Sequence, residues 1–177
     1  RHVADRLLLT YPTATIGGTG LAVDSSLEAV GITTKAQDYS IYPKWRQSIG
    51  FTQRGCRLAC EFCVVPRKEG RPRAASTVAD IWRGDPHPRE LLLLDNDFFG
   101  GPYWRERIDE IRAGGFRVCF NQGINARTLT NEAAEAIASV DYRDDSMKTK
   151  RIYTAWDNRG DEARLFLVAP GAIDLVD

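Results

Sequence analysis

From Ser48 onward, short apolar runs alternate with amphipathic stretches, whereas residues 1–47 show no such rhythm. Alternation of this kind predicts parallel strands joined by crossover helices, about four units in all. The first strand is expected over Ser48–Gly55, followed by a cysteine-bearing loop and a helix near Ser76–Arg83 with Ser76 as its N-cap. The second, Glu90–Asp95, contains four consecutive leucines, the run expected where both faces of a strand are covered. A helix over Tyr103–Ala113 should stop at Gly114 and Gly115. A third strand is expected over Phe116–Gln122, a third helix over Asn131–Val140 capped by Thr130, and a fourth strand over Arg151–Trp156. A last helix would begin near Asp161. The fold class read from this order is α/β, a partial (β/α) barrel of about four units.

Composition narrows the picture. The chain has 177 residues and is 43% hydrophobic, enough for one core of ordinary size. Basic and acidic side chains balance at 24 each, so net charge makes no global case for RNA or another nucleic acid, or for a membrane surface. A local basic group, Arg67, Lys68, Arg71 and Arg73, can either meet an anionic substrate or form a solvated turn. No apolar segment is long enough to span a membrane and no signal peptide is visible, which together with the cysteine usage implies a reducing, cytoplasmic setting.

Residues 1–47 read as a linker or as the tail of a preceding domain, and residues 48–177 as a core domain incomplete at its C-terminal end. The chain opens on Arg1, so a fragment lacking an N-terminal partner domain is expected. IGGTGL, residues 16–21, has three glycines in four positions and permits a tight turn or a close backbone approach to a ligand, but lacks dinucleotide-fingerprint spacing.

Three of the four cysteines, Cys56, Cys60 and Cys63, stand at CxxxCxxC spacing within GCRLACEFCVVPRKEGRPR. Soft sulfur ligands favour iron–sulfur clusters, zinc or cuprous copper, and three thiolates on one loop can each bind one iron of a cubane. The fourth iron then stays open, a position where chemistry can occur. A structural zinc site would need a fourth ligand from distant Cys119, His2 or His87, and a ferredoxin would need a fourth cysteine that does not follow Cys63. Cys119, on the third strand, is expected to be buried and apolar in character.

In parallel barrels the active site gathers at the C-terminal ends of the strands. Besides the cysteine loop, this rule selects Asp95, Asn96 and Asp97 after strand two. It also selects Asn121, Gln122, Asn125 and Arg127 after strand three, and Asp157 and Asn158 after strand four. Asx residues also shape turns and cap helices, so a structural role stands beside the functional one for each.

CxxxCxxC with an aromatic residue, Phe62, just before the last cysteine resembles the signature loop of the radical S-adenosylmethionine (radical SAM) enzymes. The resemblance implies that the three cysteines hold a 4Fe–4S cluster whose fourth iron chelates S-adenosylmethionine. An electron from a flavodoxin or ferredoxin would cleave the sulfonium to a 5'-deoxyadenosyl radical that abstracts hydrogen from substrate. It also implies cofactor-side roles for Phe62, for Asp95, Asn96 and Asp97 where many members carry a GGE-like segment, for Gln122, Asn125 and Arg127, and for Asp157. The resemblance covers residues 48–165, about two thirds of a six-unit partial barrel. The segment after the cysteines resembles both the methylthiotransferases that modify transfer RNA and the cobalamin-dependent members. IGGTGL resembles the end of the cobalamin-binding-type domain of the latter, which would make cobalamin a further cofactor. Methylation, methylthiolation or another hydrogen abstraction all fit. The competing class is a non-catalytic or degenerate module that keeps zinc or an iron–sulfur cluster within a larger assembly.

Overall fold

The computed structural model describes residues 2–19, 21–33 and 37–154. Helix α1, His2–Thr10, precedes an irregular stretch containing a short 3-10 turn, Glu28–Val30. Then come β1 (Ser48–Gly50), β2 (Gln53–Arg54), α2 (Val65–Glu69), β3 (Arg73–Ala74), α3 (Val78–Ile81) and β4 (Glu90–Leu93). The 3-10 turn Phe98–Gly100 leads into α4 (Trp104–Ala113) and β5 (Arg117–Phe120). A further 3-10 turn, Ala126–Thr128, precedes α5 (Asn131–Ala138) and β6 (Asp141–Tyr142).

The protein is α/β. Its main sheet has four strands in the order β1-β4-β5-β6, each pair parallel, with Ser48 opposite Leu91, Glu90 opposite Arg117 and Arg117 opposite Asp141. Strand order thus follows chain order within this sheet, and each crossover carries a helix.

Alternate residues of a strand face opposite sides of the sheet, and the core divides accordingly. Leu91, Leu93, Val118 and Phe120 pack with Val78 and Ile81 of α3, Ile108 and Ile111 of α4, and Ala133 and Ile137 of α5. Leu92 and Cys119 face the other way, where Met147 covers them with Ile49, Leu94 and Tyr153 beside it. Among the described residues, α3, α4 and α5 therefore lie on a single face of the sheet. The leucine run of β4 is buried on both, because the loop after β6 folds back beneath it. Asp144 pins that loop by accepting from Ser146 Oγ at 2.8 Å and Lys148 N at 3.0 Å, and Arg117 Nη1 donates to the Met147 carbonyl at 3.3 Å.

Several expected boundaries move. The first strand ends at Gly50 rather than Gly55, because Thr52 and Gln53 turn to meet Asp95 and β2 pairs antiparallel with β3 in a separate ribbon. Thr77, not Ser76, caps α3. Its hydroxyl accepts from Asp80 N at 3.1 Å while the Asp80 carboxylate accepts from Thr77 N at 2.9 Å, a reciprocal capping box. Thr130 caps α5 as expected, accepting from Ala133 N, and the helix stops at Ala138. Gly114 N donates to the last carbonyls of α4, and Gly115 takes a positive φ of 63°. The fourth strand is Asp141–Tyr142, not Arg151–Trp156. Among the described residues of the expected segment, 151–154, Thr154 forms a bridge, parallel to Ile124. Trp156, Asp157, Asn158 and the helix from Asp161 lie outside the described residues.

Within residues 1–47, Tyr39 ties the chain to the sheet. Its hydroxyl accepts from Ile49 N at 2.8 Å and the Arg83 guanidinium stacks 3.9 Å over its ring. No helix among the described residues is long and apolar enough to cross a membrane.

Candidate metal centre at the cysteine loop

The loop from Gly55 to Pro72, which carries the cysteines, leaves and rejoins the β2–β3 ribbon, so both its ends are held. Gly55 has a φ of 86°, and a Cβ there would lie 2.4 Å from the Arg71 carbonyl oxygen, so only glycine allows the two ends to meet. Cys56 N donates to the Gly70 carbonyl at 3.2 Å. Glu69 completes the clamp: one carboxylate oxygen accepts from Arg54 Nε at 2.9 Å and Gly55 N at 3.0 Å, and the other pairs with Arg54 Nη2. Burial pushes the Glu69 carboxyl upward, but these donors outweigh it and its pKa lies below the ordinary value.

Two aspartates from the turn after β4 hold the chain between Thr52 and Arg57, at the entrance to the loop, from the sheet side. Asp95 is buried, accepting from Gln53 N at 2.7 Å and Thr52 Oγ1 at 3.0 Å. Burial nevertheless raises its carboxyl to about 6 against the pull of those two donors. Asp97, also buried, accepts from Arg57 N at 3.2 Å and pairs with Arg57 Nε at 3.0 Å. Arg57 Nη2 reaches on to Thr128 Oγ1, 3.1 Å away in the turn after β5. One side chain thereby joins the cysteine loop to the ends of two neighbouring strands.

All four cysteines are free thiols, and Cys56, Cys60 and Cys63 are each half-buried. Burial raises the Cys56 thiol above its ordinary range, opposed by the Leu58 N–H that donates to its sulfur at 3.4 Å. Cys63 N donates to the Cys60 carbonyl at 3.0 Å, which turns the last two thiols on one tight bend. Arg127 Nη2 donates to Cys60 Sγ at 3.8 Å. Among the described residues, no three Cys, His, Asp or Glu side chains converge closely enough to hold one metal ion. A single zinc needs its thiolates about 2.3 Å from one point. A cubane takes each thiolate at a different iron, so its ligands stand farther apart. Cys56, Cys60 and Cys63 share one loop, each half-buried, and a guanidinium N–H reaches one of them; thiolates are the donor type of iron–sulfur clusters.

No family model matches the chain, and no curated protein or solved structure matches it either. The geometry therefore carries the functional argument.

The expected site residues separate into distinct places. Asp97 and Asn125 line one shallow depression, with room for about a single water, together with Arg57, Gly123, Thr128 and Leu129. Asn125 is also structural, its side chain accepting from Arg127 N at 3.0 Å. Asp95 lies behind the depression, bonded into the backbone after β1. Asn96 is half-buried in the turn and Gln122 is exposed. Phe62 is 74% exposed and points away from the core. Cys119 is fully buried in β5 and its thiol is pushed up to about 12, first by burial and then by Asp145 and Asp144. Asp157 lies outside the described residues.

The sequence reading missed Arg54, Arg57, Glu69 and Thr128, all of which shape this site. Arg57 and Glu69 were within sight, one inside the CxxxC spacing and the other directly before Gly70. Their signal was only that of charged loop residues. Thr52 and Gln53 were read as strand. The buried Gln53 carboxamide has no hydrogen-bond partner among the described residues.

Proposed function

We propose that this chain is the core of a radical SAM enzyme, with Cys56, Cys60 and Cys63 as ligands of a 4Fe–4S cluster and the sheet as part of a (β/α) barrel wall. The observation that carries this reading is the position of the CxxxCxxC loop. It follows β1 at the edge where the turns after β4 and β5 also converge, and it is tied to both through Arg57. In parallel α/β folds this edge is where ligands bind. Helices on one face and strands in chain order are the arrangement of a barrel wall rather than of a doubly wound sheet.

When bound, the cluster and S-adenosylmethionine supply reductive cleavage to a 5'-deoxyadenosyl radical for hydrogen abstraction. The chain's own residues do the positioning. Glu69, Arg54 and the Gly55 amide keep the cysteine loop closed at its base, and Asp97 holds its first turn through Arg57. Asn125, Thr128 and Asp97 place polar groups beside the loop, on the side where the amino and carboxylate groups of S-adenosylmethionine would approach. A flavodoxin or ferredoxin is the reductant this chemistry requires, in a reducing, cytoplasmic setting. Methylation, methylthiolation and simple hydrogen abstraction are the reactions this chemistry serves, with cobalamin as a second cofactor in the first case.

The test is anaerobic reconstitution of the whole chain with iron and sulfide, then electron paramagnetic resonance of the reduced protein with and without S-adenosylmethionine. A reduced cubane signal that changes on addition is the expected result. A cubane signal indifferent to S-adenosylmethionine would mean a degenerate or electron-carrying site, and uptake of zinc in place of iron would overturn the proposal.

A further inference from the structure

We propose that Arg127 sets the reduction potential of the metal centre by donating to the sulfur of Cys60. This inference rests on the cluster reading above and adds a role for a residue that the resemblance points instead toward S-adenosylmethionine. Arg127 Nη2 lies 3.8 Å from Cys60 Sγ, within reach of an N–H···S bond, although the two residues are 67 positions apart. The contact is built in from the backbone. Arg127 lies in the 3-10 turn after β5, and the Asn125 side chain, which accepts from Arg127 N at 3.0 Å, holds the start of that turn. Cys60 is held from its own side by the bend to Cys63.

A cysteine sulfur that ligates a metal does so as a thiolate, a far stronger acceptor than a thiol. A guanidinium N–H on a ligating sulfur draws electron density from the iron and adds positive charge beside it. Both effects favour the reduced, more negative state of a cluster, since hydrogen bonds to sulfur and local charge are principal determinants of cluster potential. Arg127 is accordingly a positioning and tuning residue that acts on Cys60, not on substrate.

The experiment compares the reconstituted whole chain with Arg127→Gln and Arg127→Lys. It measures iron and sulfide content, the midpoint potential by resonance-monitored redox titration, and affinity for S-adenosylmethionine. Arg127→Gln is expected to keep its iron but be reduced at least tenfold less at a fixed potential, a displacement of about 59 mV for a one-electron couple. Arg127→Lys should fall between it and the native chain. Iron lost from Arg127→Gln but kept by Arg127→Lys would equally support a charge acting at Cys60. An unchanged midpoint in iron-replete Arg127→Gln would overturn the inference, as would a change confined to S-adenosylmethionine affinity or loss of iron from both variants. Failure of the native chain to take up iron and sulfide would sink the cluster reading itself, and this inference with it.

Discussion

Asp97 accepts from both the backbone N–H and the side-chain Nε of Arg57, at 3.2 Å and 3.0 Å, so one carboxylate after β4 anchors the first turn of the cysteine loop. The anchor depends on a glycine. A Cβ at Gly100 would sit 2.0 Å from an Asp97 carboxylate oxygen, the end of a movable side chain, so Gly100→Ala should unseat the carboxylate and spare the backbone. Asp97→Ala and Gly100→Ala are both expected to lower iron retention after reconstitution, with a stability loss of about 1–2 kcal/mol for Asp97→Ala. Full iron retention in both variants would show the anchor to be dispensable.

Asp95 predicts how stability changes with pH. Its folded carboxyl titrates near 6, above the unfolded value, so between the two the native state binds more protons than the unfolded chain. Its contribution is therefore full below about pH 4 and falls as pH rises through about 6, by on the order of 2–3 kcal/mol. Asp95→Asn keeps an acceptor for Gln53 N and removes the titration. Denaturant unfolding over this range should show a flatter profile for Asp95→Asn, and an identical slope in both proteins would contradict the assignment.

Gly55→Ala tests the clamp at the base of the loop. The substitution combines a positive φ with a Cβ 2.4 Å from a backbone oxygen that cannot step aside. A loss of about 2–4 kcal/mol is expected. The fall in Tm should exceed that of Gly70→Ala, where φ is also positive but a Cβ meets nothing within 4 Å. Equal effects would mean that strain alone, not the meeting of the loop's ends, decides.

Single alanine substitutions at Cys56, Cys60 and Cys63 should each abolish cluster assembly, while Cys119→Ala should retain it and cost about 1 kcal/mol of packing. Iron analysis and visible absorption of the reconstituted variants distinguish the two classes. Normal iron content in any of the three loop variants would remove that cysteine from the ligand set.

Gln53 offers a converse case, a buried carboxamide with neither end bonded among the described residues. Replacing it by methionine, similar in shape and without the amide, should stabilise the protein by about 1 kcal/mol, raising Tm by roughly 2–4 °C. A fall in Tm would indicate that the amide has a partner in solution.

The elements that were legible in the sequence are those whose signal is local. The leucine run of β4, the periodic helices α4 and α5, and the Thr130 cap each depend on neighbours within a turn or a strand, and so does the CxxxCxxC spacing. The fourth strand was misplaced for the same reason. Asp141–Tyr142 is too short to show alternation, while Arg151–Trp156 carries the β-favouring residues yet, among its described residues, contributes just the bridge from Thr154 to Ile124.

The chain by itself determined an alternating α/β order and three thiols on one loop. Only the tertiary structure decided which polar residues anchor that loop and the strand leading into it, because that choice is made by groups distant in sequence. Asp95 and Asp97 are two positions apart and equivalent to the eye. Yet one bonds backward to Gln53, 42 residues earlier, and the other to Arg57, 40 residues earlier. Packing of the turns after β4 and β5 against the loop selects those partners, since a buried carboxylate must find donors where the folded backbone presents them.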